Sequence, residues 1–315
     1  MIVHISCIED ALPLIDLPLS SDMELFRALA DAFWPGPLTL VVKASRLVPS
    51  EVTAATGFVG IRLPRHPIAQ ALIKAAGVPI AAPSANRFGH VSPTTAQHVV
   101  DDLGQSSIVV LDTEDDALPA DSVGFESTVL NIALKPPKVL RQGGVSVDDL
   151  RVFFQYHNGS EVSLANMEAS TDAAGLVSPG VMLTHYAPDC PAFLLSSSSS
   201  PDDELSGKAE QTVCALERAV LVDFNGAFVH LSQHVLAYRD LSASGLPQEA
   251  GRCLFSVLRW SETVPEAQAI LLPMLSREST TLDGAVADRL FRAASGQVVK
   301  LSMSPQGREI VHSQR

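Results

Sequence analysis

Apolar residues along this chain recur in two periods, and the period switches often. Leu25, Leu29 and Phe33 fall on one helical face, Ser21 with Glu24 three residues on has capping-box spacing, and Trp34-Pro35-Gly36-Pro37 stops the run. Residues 38–43 and 59–63 are short apolar runs that predict strands, and residues 67–76, closed by Gly77, predict a helix. Residues 78–82 predict a buried strand, followed at once by the polar turn Pro83-Ser84-Ala85-Asn86. Ser92 as cap and Pro93 as first helical residue predict a helix through Ala96, Val99, Val100 and Leu103, ended by Gly104. Residues 108–111, 127–132 and 139–141 predict further strands, and Ser146 caps a helix to about Phe154. Several strands do not alternate with helices, so an α/β domain with a mixed sheet is expected.

The second half reads differently. Residues 155–180 are rich in Asn, Ser, Thr and Gly without an apolar period, and predict a linker. Beyond it, residues 219–224 and 269–272 are strand-like. Residues 247–259 and 283–294 are helix-like, with Ala285, Ala287, Leu290 and Ala293 at helical spacing. This alternation predicts a small Rossmann-like parallel-sheet domain. The serine run 196–200 reads as a solvated loop. A length of 315 residues suits two domains. The expected division is 1–154, a linker or lid over 155–188, and 189–315.

Charge narrows the class of partner. The net charge of −13 argues against a broad basic surface for nucleic acid, so any RNA contact would be local or made through a partner. Cys7, Cys190, Cys214 and Cys253 are scattered without a CxxC pair, which points to free thiols in a reducing, cytoplasmic setting. No run reaches membrane-spanning length, and the first residues lack the basic lead of a secretory signal.

Candidate chemistry gathers at strand ends. Ser84 and Asn86 bring a hydroxyl and an amide beside the helix start at Ser92, a place that suits an anion such as phosphate, although such a turn also simply caps itself. Arg62 lies between Ile61 and Leu63 and faces away from both. Its fork suits a carboxylate, and a surface arginine on a half-exposed strand is the equal alternative. Arg141 precedes Gly143-Gly144, which would let backbone approach a ligand closely. Tyr186 either anchors two domains by packing or reaches a ligand. His230 and His234 are four apart but have no evident third ligand, the Walker pattern GxxxxGK[ST] is absent, and Asp115-Asp116 reads as solvated.

Six segments in order carry a resemblance. They are FWPGPLTLVV (33–42), VGIRLP (59–64), PIAAPSANRFGHVSPTT (79–95), ESTVLNI (126–132), VLRQGGVS (139–146) and SPGVMLTHYAP (178–188). Together they resemble the YrdC-like domain and linker of two-domain threonylcarbamoyl-AMP synthases. The resemblance implies that L-threonine, bicarbonate or CO2, and ATP with Mg²⁺ are joined to threonylcarbamoyl-AMP and pyrophosphate. A downstream transferase would then use the product to make threonylcarbamoyladenosine in tRNA. It implies Ser84, Ser92, Arg141 and Tyr186 at ATP with Asn86 beside them, and His4, Arg62, Ser127 and the backbone near Ala82 at threonine. It implies no covalent nucleophile and no metal held by the protein. Relatives of this kind have a Pro-Thr-Glu-Thr motif and a Lys-x-Arg-Pro motif ahead of the segment that reads Ile2-Val3-His4-Ile5 here. The sequence is therefore expected to be N-terminally truncated relative to them, with weaker charge compensation for departing pyrophosphate. Phe58 stands where relatives often carry threonine. A non-catalytic nucleotide- or RNA-binding remnant is the alternative. A hydrogenase-maturation carbamoyl transferase is disfavoured, because its zinc-binding and acylphosphatase-like parts are absent.

Overall fold

A computed structural model describes residues 1–112, 124–157, 159, 161–165, 182–196, 212–304 and 307–313. The contacts divide the chain into two compact units. One comprises Met1–Ser84, Ala117–Met182 and Ser279–Ala285, the other Ala85–Asp116, Leu183–Glu278 and Val286–Arg315. Residues 85–116 thus group with the second unit. Asp115-Asp116, most of the serine run and residues 166–181 of the expected linker lie outside the described residues.

The first unit is a mixed seven-stranded sheet. Its strands are β1 (Ile2–His4), β2 (Leu38–Lys43), β3 (Phe58–Arg62), β4 (Ile80–Ala82), β5 (Thr128–Asn131), β6 (Lys138–Arg141) and β7 (Ser163–Leu164), in the order β4-β1-β3-β2-β5-β6-β7. Helices α1 (Ser20–Phe33), α2 (Ser50–Thr53), α3 (Pro67–Ala76) and α5 (Val147–His157) belong to it. Its core joins Phe26 and Leu29 of α1, Leu38 and Leu40 of β2, Ile61 of β3, Leu130 of β5, and Leu150 and Phe154 of α5. Burying apolar side chains of this size is worth about 1.5–3 kcal/mol each, so this layer holds the sheet in place.

Several local expectations need correction. Helix α1 begins at Ser20 with Leu19 as its cap and no side-chain cap bond, so Ser21 is already inside the helix and the capping box with Glu24 does not form. At α5 the expected cap does form: Asp149 N donates to Ser146 Oγ at 3.0 Å, and Ser146 N donates to Asp149 Oδ2 at 3.2 Å. Strand β4 is half-buried because it is an edge strand paired only with β1. Residues 108–111 join no ladder, and Val109 is 98% exposed; an apolar run alone does not supply a partner strand. Within the expected linker, β7 pairs parallel to β6.

The second unit also holds seven strands: β8 (Ala192–Leu195), β9 (Thr212–Ala215), β10 (Ala219–Asp223), β11 (Ala237–Asp240), β12 (Ala269–Pro273), β13 (Val298–Ser304) and β14 (Gly307–His312). Their order is β11-β10-β12-β8-β13-β14-β9. The first five run parallel, and β14 and β9 extend the sheet antiparallel. β10 and β12 are buried throughout, as central parallel strands covered on both faces must be. Helices α4 (Ala96–Leu103), α6 (Pro247–Glu262) and most of α7 (Leu282–Ala293) belong to this unit. All four cysteines are free. Among the described residues no helix is long and apolar enough to cross a membrane.

Ser92 is not the cap of α4. Pro93 and Thr94 stay outside the helix, and Thr95, in extended backbone, accepts the His98 N–H on Oγ1 at 3.2 Å. Ser92 is buried, and its Oγ has no hydrogen-bond partner. Thr95→Ala is therefore expected to cost about 1 kcal/mol in urea unfolding. Ser92→Ala should cost less, because no hydrogen bond is lost; the reverse ranking would refute this cap assignment.

Candidate active site

The register of the first sheet collects polar groups at one end. His4 closes β1 and is the Cα partner of Arg62, which closes β3. Ile5 N donates to Arg62 O at 3.0 Å. β2 is antiparallel to β3, so it starts at this same end, and β5 starts beside it in parallel. Arg62 Nε donates to Gly36 O at 3.0 Å, which anchors the guanidinium. Arg141 closes β6, antiparallel to β5, and returns to the same end.

Ser127, just ahead of β5, is the hub. It is 1% exposed, and its Oγ lies 2.7 Å from Thr39 Oγ1 on β2. Arg141 Nη2 donates to Ser127 O at 2.8 Å and to Ser127 Oγ at 3.3 Å, and Arg141 Nε donates to Ser127 O at 3.2 Å. The guanidinium is thus held as a rigid fork.

Electrostatics set the preference of the cluster. Burial, followed by the nearby Arg141 charge, pulls Arg62 down to about 10, while Glu126 acts the other way. Two guanidiniums and one carboxylate leave one net positive charge in a poorly solvated place. Burial, and then Arg62, push the His4 imidazole below its ordinary value, favouring the neutral ring, and His4 Nδ1 is buried with no hydrogen-bond partner. Two placed guanidiniums, a hydroxyl and a neutral imidazole suit the carboxylate of a small polar molecule.

The His4 shift has a stability consequence. Above pH 6.5 the ring is neutral folded or unfolded, and its contribution is complete. As pH falls below 6.5 the unfolded chain takes up a proton that the folded chain resists, so stability declines until the lowered folded-state value is passed. His4→Gln should flatten that part of the acid-side decline. Urea midpoints of both proteins on either side of pH 6.5 check it, and identical slopes would remove His4 from the account.

Within the first unit, two expected positions stand apart from this cluster. β4 runs antiparallel to β1, with Ile80 opposite His4 and Ala82 opposite Ile2. Ala82 therefore sits roughly 7 Å along the strand from the His4 row, and Ser84, two residues past the strand, is exposed. Gly143 serves the chain's own backbone and not a ligand: a Cβ there would collide with Glu126 O, Ser127 C and Thr128 N. Asn86, Ser92 and Tyr186 belong to the second unit. Asn86 Nδ2 donates to Arg87 O at 2.8 Å and His90 O at 3.0 Å, so this amide caps its own turn. Tyr186 is fully buried at φ +60, its ring 4.1 Å from that of His185 and 5.3 Å from that of Phe255. Thr39 and Glu126 are site residues that the sequence reading passed over. Both lie in the quoted segments, but only the β2–β5 register brings Thr39 to Ser127.

Comparison with known proteins gives the family of the chain. Residues 1–143 match a family model described as "Telomere recombination", and residues 145–295 match one described as "Threonylcarbamoyl-AMP synthase, C-terminal domain". The chain is 30% identical over 303 residues to the threonylcarbamoyl-AMP synthase of Pyrococcus abyssi, covering 96% of this chain and 82% of that one. It is 33% identical over 304 residues to the protein of that name from Bacillus subtilis, covering 95% and 80%. A crystal structure of P. abyssi Sua5 complexed with L-threonine is similar with a TM-score of 0.73 at 28% identity, over 96% of this chain and 82% of that one.

Proposed function

This chain belongs to the threonylcarbamoyl-AMP synthase family, and on that premise we propose that it joins L-threonine, bicarbonate or CO2, and ATP into threonylcarbamoyl-AMP and pyrophosphate. One observation carries the reading to particular residues: His4, Arg62, Ser127 and Arg141 meet at one end of the first sheet.

Arg62 clamps the threonine carboxylate, and Ser127, oriented by Thr39, offers its hydroxyl beside it. The threonine amine forms a carbamate, whose oxygen attacks the α-phosphate and expels pyrophosphate. Carbamate formation adds a negative charge to the substrate, and the net positive cluster compensates it. No covalent step is required, and alignment with charge compensation does the catalytic work. ATP enters as its Mg²⁺ complex, with Ser84 and Arg141 as its proposed contacts in the first unit. A tRNA-modifying transferase takes the product, and the acidic chain makes at most a local RNA contact.

The test combines calorimetric titration with L-threonine and mass-spectrometric detection of threonylcarbamoyl-AMP in mixtures containing bicarbonate, ATP and Mg²⁺. Threonine binding, and product that depends on all three reactants, are expected. A chain that neither binds threonine nor forms product overturns the reading.

A further inference from the structure

We propose that His90, Asp189 and Glu262 of the second unit form a divalent-cation site, with Zn²⁺ as the ion that suits it. His90 comes from the loop ahead of α4, Asp189 from the segment ahead of β8, and Glu262 is the last residue of α6. His90 Nε2 lies 3.0 Å from Glu262 Oε2 and 3.9 Å from Asp189 Oδ1, and one ligand atom from each residue fits within 4.8 Å of the others. Ligands of a tetrahedral zinc ion stand roughly 3.3–3.6 Å apart, given bonds of about 2.0–2.2 Å. Small side-chain adjustments close the trio on a metal.

The groups behind these ligands distinguish the site from a chance meeting of charges. His90 Nδ1 faces Asp102 Oδ1 at 2.9 Å, so Nε2 is the ring atom presented to Glu262 and Asp189. Asp102 is itself gripped by Arg259, with Nη2 at 2.6 Å and Nη1 at 3.2 Å, and both side chains are buried. A carboxylate behind an imidazole fixes the ring and strengthens the opposite nitrogen as a metal ligand. Asp189 Oδ2 accepts from Arg87 Nη2 at 2.7 Å, which leaves Oδ1 toward His90. Glu262 Oε2 accepts the Asp189 N–H at 3.0 Å, and a β-bridge between His90 and Ala187 ties the two loops together. His90 and Glu262 are largely buried while the Asp189 side chain is 66% exposed, so solvent can complete the coordination.

Charge sets the strength of binding. Asp102, Asp189 and Glu262 face Arg87 and Arg259, three carboxylates against two guanidiniums. Arg87 is the competitor: its Nη2 lies 3.3 Å from both His90 ring nitrogens, and its side chain is 49% exposed. An imidazole with two carboxylates selects Zn²⁺ over Mg²⁺ or Ca²⁺, which prefer all-oxygen sites. No spacing along the sequence announces this trio, because its members are 99 and 73 positions apart (189 − 90 and 262 − 189).

The experiment titrates zinc chloride into the full chain, stripped of metal by chelator and with its cysteines alkylated, by calorimetry. One zinc per chain is expected, undisturbed by excess Mg²⁺. Asp189→Asn, at an exposed position, should weaken binding by at least about tenfold without moving the metal-free melting temperature. Arg87→Gln should tighten binding several-fold, whereas loss of a purely structural ion pair would leave zinc affinity unchanged or lower it. Zinc binding that is absent, indifferent to Asp189→Asn, lost only with His230 and His234, or not tightened by Arg87→Gln overturns the proposal.

Discussion

Arg62→Ala is expected to weaken L-threonine binding about ten- to a hundredfold while changing ATP affinity far less. A charge-assisted hydrogen bond contributes about 1.5–3 kcal/mol, and each 1.4 kcal/mol is a factor of ten. The Arg62 guanidinium is preorganised, since its Nε is already committed to Gly36 O at 3.0 Å. Removing it leaves Arg141, which is tied to Ser127 by three hydrogen bonds, with less freedom to follow a carboxylate. Stability should change little, because the substitution also relieves the repulsion between two neighbouring guanidiniums in a buried place. Arg62→Lys keeps the charge and loses the fork, so it should fall between wild type and alanine. Calorimetric titrations with threonine and with ATP check the split. Unchanged threonine affinity in Arg62→Ala would remove Arg62 from the site.

Much of the local structure was legible because it rests on local chemistry. Pro67 and Gly77 bound α3 as read, with Gly77 in the left-handed region at φ +66. The apolar runs at β2, β10 and β12 sit where the pattern placed them. Failures came where two residues offered the same local chemistry, or where a partner was needed. Ser92 and Thr95 are both plausible caps, and backbone geometry chose Thr95. Residues 108–111 have a strand's composition but pair with no strand among the described residues. The site shows the same boundary. Arg62, Ser127 and Arg141 could be picked out as strand-end polar residues. That Ser127 receives Arg141, and that Ala82 leaves the His4 row, depend on strand order and direction, which period and composition do not encode.

Gly143→Ala should do the greatest damage to this end of the sheet, through backbone and not through chemistry. A Cβ at residue 143 would lie 2.5 Å from both Ser127 C and Thr128 N, and would also overlap Glu126 O. All three are main-chain atoms at the start of β5, so no side chain can rotate aside. Either the loop after β6 or the start of β5 must move. The close approach is also stitched by hydrogen bonds: Gly144 N donates to Glu126 O at 3.0 Å, and Val145 N donates to Thr128 Oγ1 at 3.0 Å. Thr128 Oγ1 in turn donates to Val145 O at 2.5 Å. Displacement strains these bonds and draws Ser127 away from Arg141. Overpacking costs about 1–3 kcal/mol, and each buried hydrogen bond lost adds roughly 1 kcal/mol, so a loss near 3 kcal/mol or more is expected in urea unfolding. Because Ser127 and Arg141 are drawn apart, threonine affinity should drop at least about tenfold in whatever fraction stays folded. Thr39→Val separates the two effects. It removes only the hydroxyl that faces Ser127, so it should lower threonine affinity with a smaller stability cost than Gly143→Ala. If Gly143→Ala unfolds at the wild-type urea midpoint and binds threonine normally, the backbone contact it is meant to break does not exist.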